Sequence, residues 1–395
     1  MKNNIMFIVM KKELIDLFRD KKTILIAILI PLIMFPVLFG IMGKAMNKTE
    51  DDLKKDTKIA ITENSESNLS KFIKSQQGIK VIDSKDIEKD IKDGKIYLDI
   101  KIPDNFDENI DKENVPEIEI IYDNSSQNSL STYTAITGYI EQFSKVIVGK
   151  RLGKRGIDVS ILNPVKITEK TTEKEDSGMG KYMISLMLPL LIVLYSVTGP
   201  LPAAIDLGAG EKERGTLEPL LTTKAGRMSL LWGKFLAITI MGLITNIASI
   251  IGLIFASKQS GSILNLGGGS YSLSMGTIIL IGVFALLTTM VFGAIELSIS
   301  IYARSFKEAS TYLSPLTIIA LVPTYATYML DAKNISLIYF NIPLSNVICI
   351  MKEFIAGIYN PVHIGLTLGW TIAYIFISIL FARFMFSREE VIFRT

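Results

Sequence analysis

The sequence predicts an α-helical polytopic membrane protein with six transmembrane helices in a 1 + 5 arrangement and an extracytoplasmic α/β domain inserted between the first and second. Three observations carry this. Apolar residues make up 49% of the 395 residues, and the mean hydropathy is +0.37. Six long stretches are almost free of charge. The charges crowd elsewhere: 49 of the 81 lie in residues 44–181. Collagen, coiled coil and disorder are excluded by that composition. A single cysteine, Cys349, and a single histidine, His363, cannot build a zinc site or a Cys/His catalytic pair. A net charge of +3 gives no reason to expect nucleic acid as a partner.

Residues 1–22 are basic and precede the first span. A bilayer needs roughly 20 apolar residues per helix, and the six stretches that meet this are Thr23–Gly43, Tyr182–Ile205, Phe235–Ser257, Met275–Tyr302, Ala309–Leu330 and His363–Ala382. In lipid a helix satisfies its own backbone, which makes the span its stable form. Met275–Tyr302 alone carries an acid inside, Glu296. A seventh uncharged stretch, Ile335–Met351, contains Asn341, Pro343 and Asn346, and reads as re-entrant or interfacial helix, with a true span as the alternative. The first span has too long an apolar run for a cleaved signal peptide and reads as an anchor.

Orientation follows from loop lysines and arginines. Sixteen fall on the side holding both termini and the loops between spans two and three and between spans four and five; three (Lys258, Lys333 and Lys352) fall opposite. Both termini are therefore expected in the cytoplasm of a bacterial cell and 44–181 outside. The five later spans occupy 182–386, with a cytoplasmic loop at 206–227 and a tail at 387–395.

Within the insertion, Ile-, Val- and Tyr-rich runs at Lys58–Thr62, Gly78–Asp83, Lys95–Ile102, Glu117–Tyr122 and Val165–Thr168 predict strands. Helical runs are expected at Ser67–Ser75, Ser84–Lys92 and Ser126–Leu152, the last with Leu130, Tyr133, Ile136, Ile140, Phe143 and Ile147 on one stripe. Alternation of the two predicts an α/β domain.

No phosphate-cradling glycine loop, zinc-protease motif, serine elbow or C-x-x-C is present. The chain is thus expected to bear no ATPase or other catalytic site. The informative segment is Asp206–Lys224. There Glu211, Lys212, Glu213, Arg214 and Gly215 precede Thr216–Leu221, a short helix with an apolar stripe suited to a groove on a cytoplasmic partner; a plain solvated loop fits the residues equally well.

The run Glu211-Lys-Glu-Arg-Gly-Thr-Leu-Glu-Pro-Leu-Leu, with Gly233-Lys234-Phe235 opening the next span, resembles the coupling-helix region of ABC-transporter permeases of the type-two exporter group. Lys11-Lys-Glu-Leu-Ile-Asp-Leu-Phe-Arg resembles that group's elbow helix, Ile102-Pro-Asp-Asn-Phe a strand end of its external domain, and Ala303-Arg-Ser-Phe-Lys-Glu-Ala its second cytoplasmic loop. Within the group, the large insertion and these loops are most similar to sodium-efflux permeases.

The resemblance implies two cytoplasmic ABC ATPase subunits binding ATP and Mg²⁺, and a second copy of this permease or a related one. It assigns Glu211, Glu213, Arg214, Gly215, Thr216, Leu217, Glu218 and Pro219 to ATPase coupling. Lys11, Lys12 and Arg19 fall on the elbow helix, whose apolar residues would meet membrane lipid. It implies Na⁺ as cargo, with drugs, antimicrobial peptides or lipid-like molecules as alternatives. A membrane-anchored sensor or adhesion protein is the reading from another class.

Cargo or Na⁺ candidates within the spans are Glu296, Thr245, Asn246 and Ser249, with Asn341 and Asn346 in the short stretch. Against each stands a structural role: an ion pair with Arg304 or headgroup water for Glu296, and hydrogen bonds between helices for the rest.

Overall fold

The computed structural model describes residues 2–55, 57–162, 178–221, 225–259 and 273–388, with isolated positions between them. The chain forms two compact units, Lys44–Thr171 and the remainder. The predicted boundary at 181 thus moves back to 171, and a span helix begins at Gly178.

Helix α1 (Lys2–Arg19) is followed after one residue by α2 (Lys21–Lys55). The inserted unit then builds a four-stranded sheet from β1 (Thr57–Glu63), β2 (Ile79–Val81), β3 (Leu98–Ile102) and β4 (Glu119–Tyr122) in the order β2-β1-β3-β4. β1 is parallel to both neighbours and β4 antiparallel to β3. Its helices are α3 (Asn68–Lys74), α4 (Ile87–Lys92), α5 (Phe106–Asp111) and α6 (Gln127–Lys154). Successive strand residues point to opposite faces. Ile59, Ile61, Leu98, Ile100 and Ile102 pack with α3, α5 and α6, while Ala60 packs with Ile91 of α4. Ser67 and Asp86 cap α3 and α4 with their side chains. The α/β expectation agrees with this unit. α5 was not among the predicted elements. The strand expected at Val165–Thr168 falls largely outside the described residues.

In the other unit, α7 (Gly178–Thr198) ends at Gly199-Pro200, where the chain restarts as α8 (Leu201–Ile205). A π turn (Asp206–Gly210), α9 (Glu211–Glu213) and α10 (Leu217–Leu221) follow. Residues 206–213, expected as loop, are therefore helical. The physical reason lies in Gly208, Ala209 and Gly210, which are all buried and small enough to pack tightly. Next come α11 (Arg227–Lys258), α12 (Met275–Tyr302), α13 (Phe306–Ala326), α14 (Ser345–Ala356) and α15 (Pro361–Ser387).

Five described stretches are long and apolar enough to cross a membrane: Ile24–Ala45, Gly180–Glu213, Arg227–Lys258, Met275–Tyr302 and Pro361–Ser387. The sixth expected span appears as α13, which has 21 residues but is diluted by Pro315, Pro323 and several hydroxyl side chains. α14 has 12 residues, about 18 Å of helix, too short to span. It is nonetheless buried nearly throughout. Lys352, expected in an outer loop, sits inside α14 at 1% exposure, and its ammonium donates to the carbonyls of Thr327 (2.8 Å) and Leu330 (3.1 Å) at the end of α13.

Close packing of α2 on α11 depends on Gly252. A Cβ there would stand 2.4 Å from the Leu32 carbonyl oxygen. One apolar core gathers Phe35, Phe39, Ile192, Phe284, Phe340 and Phe354 from α2, α7, α12 and the α14 region.

Candidate functional site

α1 presents Val9, Glu13 and Leu17, at helical spacing, to the protein, and leaves Phe7, Ile8, Ile15 and Phe18 exposed. It lies directly on α11 because residue 233 has no side chain: a Cβ there would come within 2.6 Å of Val9 Cγ1. That approach sets Glu13 beside Lys234, and neither side chain has any exposure.

Four side chains then close an alternating ring. Lys234 Nζ donates to Glu13 Oε1 (3.1 Å) and Glu211 Oε2 (2.6 Å). Lys12 Nζ, half-exposed, donates to the remaining oxygens, Glu13 Oε2 (3.0 Å) and Glu211 Oε1 (3.0 Å). Asp16 stands 3.6 Å from Lys12. Burial works against the Lys12 charge, but Glu211 and Glu13 outweigh it and hold its pKa above the ordinary lysine value. Two cations and two anions make the ring neutral, which is the form in which charges survive burial.

The ring continues into the 206–221 segment. Ser300 of α12 stitches the π turn: its hydroxyl accepts from the Ala209 amide (2.9 Å) and donates to the Ile205 carbonyl (3.3 Å). A Cβ at Gly208 would stand 2.3 Å from that hydroxyl. Lys212 donates to the carbonyls of Ile301 (2.8 Å) and Ala303 (3.2 Å) at the end of α12. The Glu213 carboxylate accepts from the Phe306 amide (2.7 Å) at the start of α13, where a helix favours negative charge. Arg214 pairs with Asp206 at 2.8 Å. Gly215 takes φ +67°, a turn a side chain would strain. Thr216 then returns its amide and hydroxyl to the Glu211 carbonyl, at 2.9 and 3.1 Å. Leu217 is buried, and Pro219 and Leu220 border a groove of about 630 Å³ shared with Lys12, Asp16, Glu211 and Arg214. Glu218 lies on α10, its side chain outside the described residues.

The candidates scatter into three places. Lys12 and the 211–217 residues meet at the ring and groove, whereas Lys11 is exposed and Arg19 only approaches Asp16, at 3.8 Å. Asn246 donates to Ser196 and Thr289 (3.1 Å each) where α7, α11 and α12 meet. Thr245 bonds back to the Met241 carbonyl, and Ser249 Oγ is buried with no partner among the described residues. Asn341 bridges the Leu337 carbonyl and Trp370. Asn346 is buried in α14 with its Nδ2 unpartnered among the described residues. Glu296 is fully buried and makes no ion pair with Arg304 among the described residues. Sequence reasoning missed Glu13 and passed over Lys234. The available signal was one lysine opening an apolar span beside a glycine.

Five long apolar helices among the described residues define a multi-pass membrane protein. The chain belongs to the family described as ABC-2 family transporter protein, which matches residues 21–384. It is therefore a permease subunit of an ABC transporter, a class that lacks its own ATPase site and works with a separate ABC ATPase. It is similar to the ABC transporter permease protein NatB of Bacillus subtilis (strain 168), with 29% identity over 384 residues, 96% of this chain and 97% of NatB.

Proposed function

We propose that this permease exports a small monovalent cation, Na⁺, driven by ATP hydrolysis on two copies of a cytoplasmic ABC ATPase, with a second permease chain completing the transporter. Six spans, both termini in the cytoplasm and residues 44–171 outside the cell complete the reading. The observation that carries it is the wiring of residues 211–216. The same short segment holds the buried ring through Glu211, the end of α12 through Lys212 and the start of α13 through Glu213. A push on the exposed 214–216 surface therefore reaches two helices of the transport unit through directly bonded residues. The sequence likeness to sodium-efflux permeases supports Na⁺ as cargo.

Glu213→Ala combined with Arg214→Ala tests the docking. The double variant is expected to lose most of the ATPase in co-purification while the permease itself still extracts and elutes as wild type. Full retention of the ATPase contradicts the assignment. Salt screens charged rim contacts, so raising it should weaken the wild-type pairing more than the residual pairing of the double variant.

A further inference from the structure

Glu296 lies in α12, one turn before Ser300 and one turn after Gly293. Its side chain has 0% exposure, and neither carboxylate oxygen finds a hydrogen-bond partner among the described residues. A bare carboxylate in such surroundings is among the most costly placements a protein makes, and only a bound cation offsets it.

The neighbouring elements do not supply that cation. On α11, Lys234 is committed to the ring. On α14, Lys352 is on the α13 carbonyls, and Glu353 pairs with His363 of α15. On the π turn, Asp206 holds Arg214, and on α13, Glu308 accepts from Tyr312 and the Arg304 amide. Lys307 of α13 and Arg383 of α15 are exposed. The other titratable groups on these helices are Lys181, Tyr182 and Tyr195 of α7, Arg227 and Lys258 of α11, Tyr302 of α12, Tyr325 of α13, Cys349 of α14 and Tyr374 of α15, and none of these is hydrogen-bonded to Glu296.

Among the described residues, no group of three or more His, Cys, Asp or Glu side chains gathers to hold a metal ion. The hydroxyls of Ser298 and Ser300 on α12, and of Thr239 on α11, donate their protons to backbone carbonyls and have none to give the carboxylate. A proton needs no cage. Two turns away on the same face of α12, about 10 Å along the axis, Thr289 meets Asn246. There Asn246 Oδ1 and Ser249 Oγ are buried oxygens unpartnered among the described residues.

We propose that Glu296 is a cation-exchange site, holding a proton while the helices pack as described and trading it for the cargo cation when they part. The inference rests on the cation-export reading above. In the exchange the carboxyl O–H bond breaks, the proton passes to water admitted between the helices, and the carboxylate takes one monovalent cation in its place. Charge is conserved: one positive ion arrives for each that leaves. The π turn supplies the link to the motor, since Ser300 fastens it to α12 one turn from Glu296. π turns recur at functional sites of this kind.

The test is labelling of the full-length permease, in lipid with its ATPase, by a lipid-soluble carbodiimide, which adds to protonated carboxyls in apolar surroundings. Mass spectrometry of the α12 peptide reads the adduct, with Glu296→Gln as the blank. Wild type is expected to be labelled at Glu296, and NaCl, but not choline chloride at equal ionic strength, to slow labelling about tenfold or more. Labelling indifferent to sodium, or absent both with and without ATP, overturns the proposal. Sodium flux in the same vesicles separates the two claims. Sodium-sensitive labelling without ATP-driven sodium flux sinks the export reading and leaves the site; flux with sodium-indifferent labelling sinks the site and leaves the export reading.

Discussion

Lys234 shows how a single charged residue can be legible as a letter and illegible as a role. It stands at the mouth of an apolar span, where a lysine ordinarily reaches back to the interface. Here it is fully buried, because Gly233 lets α1 close over it and because Glu13 and Glu211 supply both counter-charges. Removing one member of a buried ion network strands the others, at about 3–5 kcal/mol. Lys234→Met is therefore expected to lower the thermal midpoint of the detergent-solubilised protein markedly. Lys12→Ala, at the half-exposed corner where water reaches the vacated carboxylates, should lower it less. Equal midpoints for the two variants would remove the ring as the anchor of α1. Asp99 poses the opposite case. It is buried in the sheet unit with one oxygen accepting from Thr62 at 2.9 Å and the other unpartnered. Burial, only partly countered by that hydroxyl, raises its pKa above the ordinary carboxylate value. The folded unit then holds its proton to higher pH than the unfolded chain does, so Asp99 weakens the fold as pH rises from the unfolded value through the folded one. Asp99→Asn should slow hydrogen exchange of the β1 and β3 amides at pH 7, and the gain should vanish at a pH below both values. A variant that exchanges faster at pH 7 would show the charge to be stabilising.

Among the elements, those with many periods were visible beforehand. α2, α11, α12 and α15 were read from long, nearly charge-free runs, and α6 from its stripe, of which Ile136 and Phe143 form the buried centre. Leu130 of that stripe is exposed, since a stripe wider than its groove leaves its edge in water. The π turn at Asp206–Gly210 was not visible. Two glycines next to charges signal a loop by propensity, and the helix they form packs directly on Ser300. The same holds for α14, whose short apolar run became a buried helix through contacts from α7, α12 and the Leu337–Asn341 turn. Gly215 was legible as a turn, and its φ of +67° makes a measurable claim. Gly215→Ala imposes roughly 1 kcal/mol of backbone strain at one joint. It should leave the global thermal midpoint within a degree or two and lower ATP-driven transport severalfold. Unaltered transport would mean that this joint passes no force.

For the molecule as a whole, function was legible as a class and not as a site. Composition placed the chain in the membrane, and the 211–221 run placed it among the ABC-transporter permeases. Neither could say that Glu13, Lys12, Glu211 and Lys234 close one ring, though Glu13 and Lys234 lie 221 positions apart. The predicted topology is checked with single cysteines, which the chain suits because its one native thiol, Cys349, is buried. Cysteines placed at exposed positions in 57–154 should react with an impermeant maleimide added to intact cells. Reaction only after lysis would place this unit in the cytoplasm and reverse the orientation.

The measurement that bears most directly on the whole account is ATP-driven uptake of radioactive sodium by sealed vesicles holding this permease and its partner ATPase. Uptake is expected to require both subunits and to fall to the level of empty vesicles with the Glu213→Ala, Arg214→Ala permease. Sodium uptake no greater than that of empty vesicles while ATP drives a dye or peptide across the same membrane, or ATP hydrolysis by the purified permease alone, would contradict it.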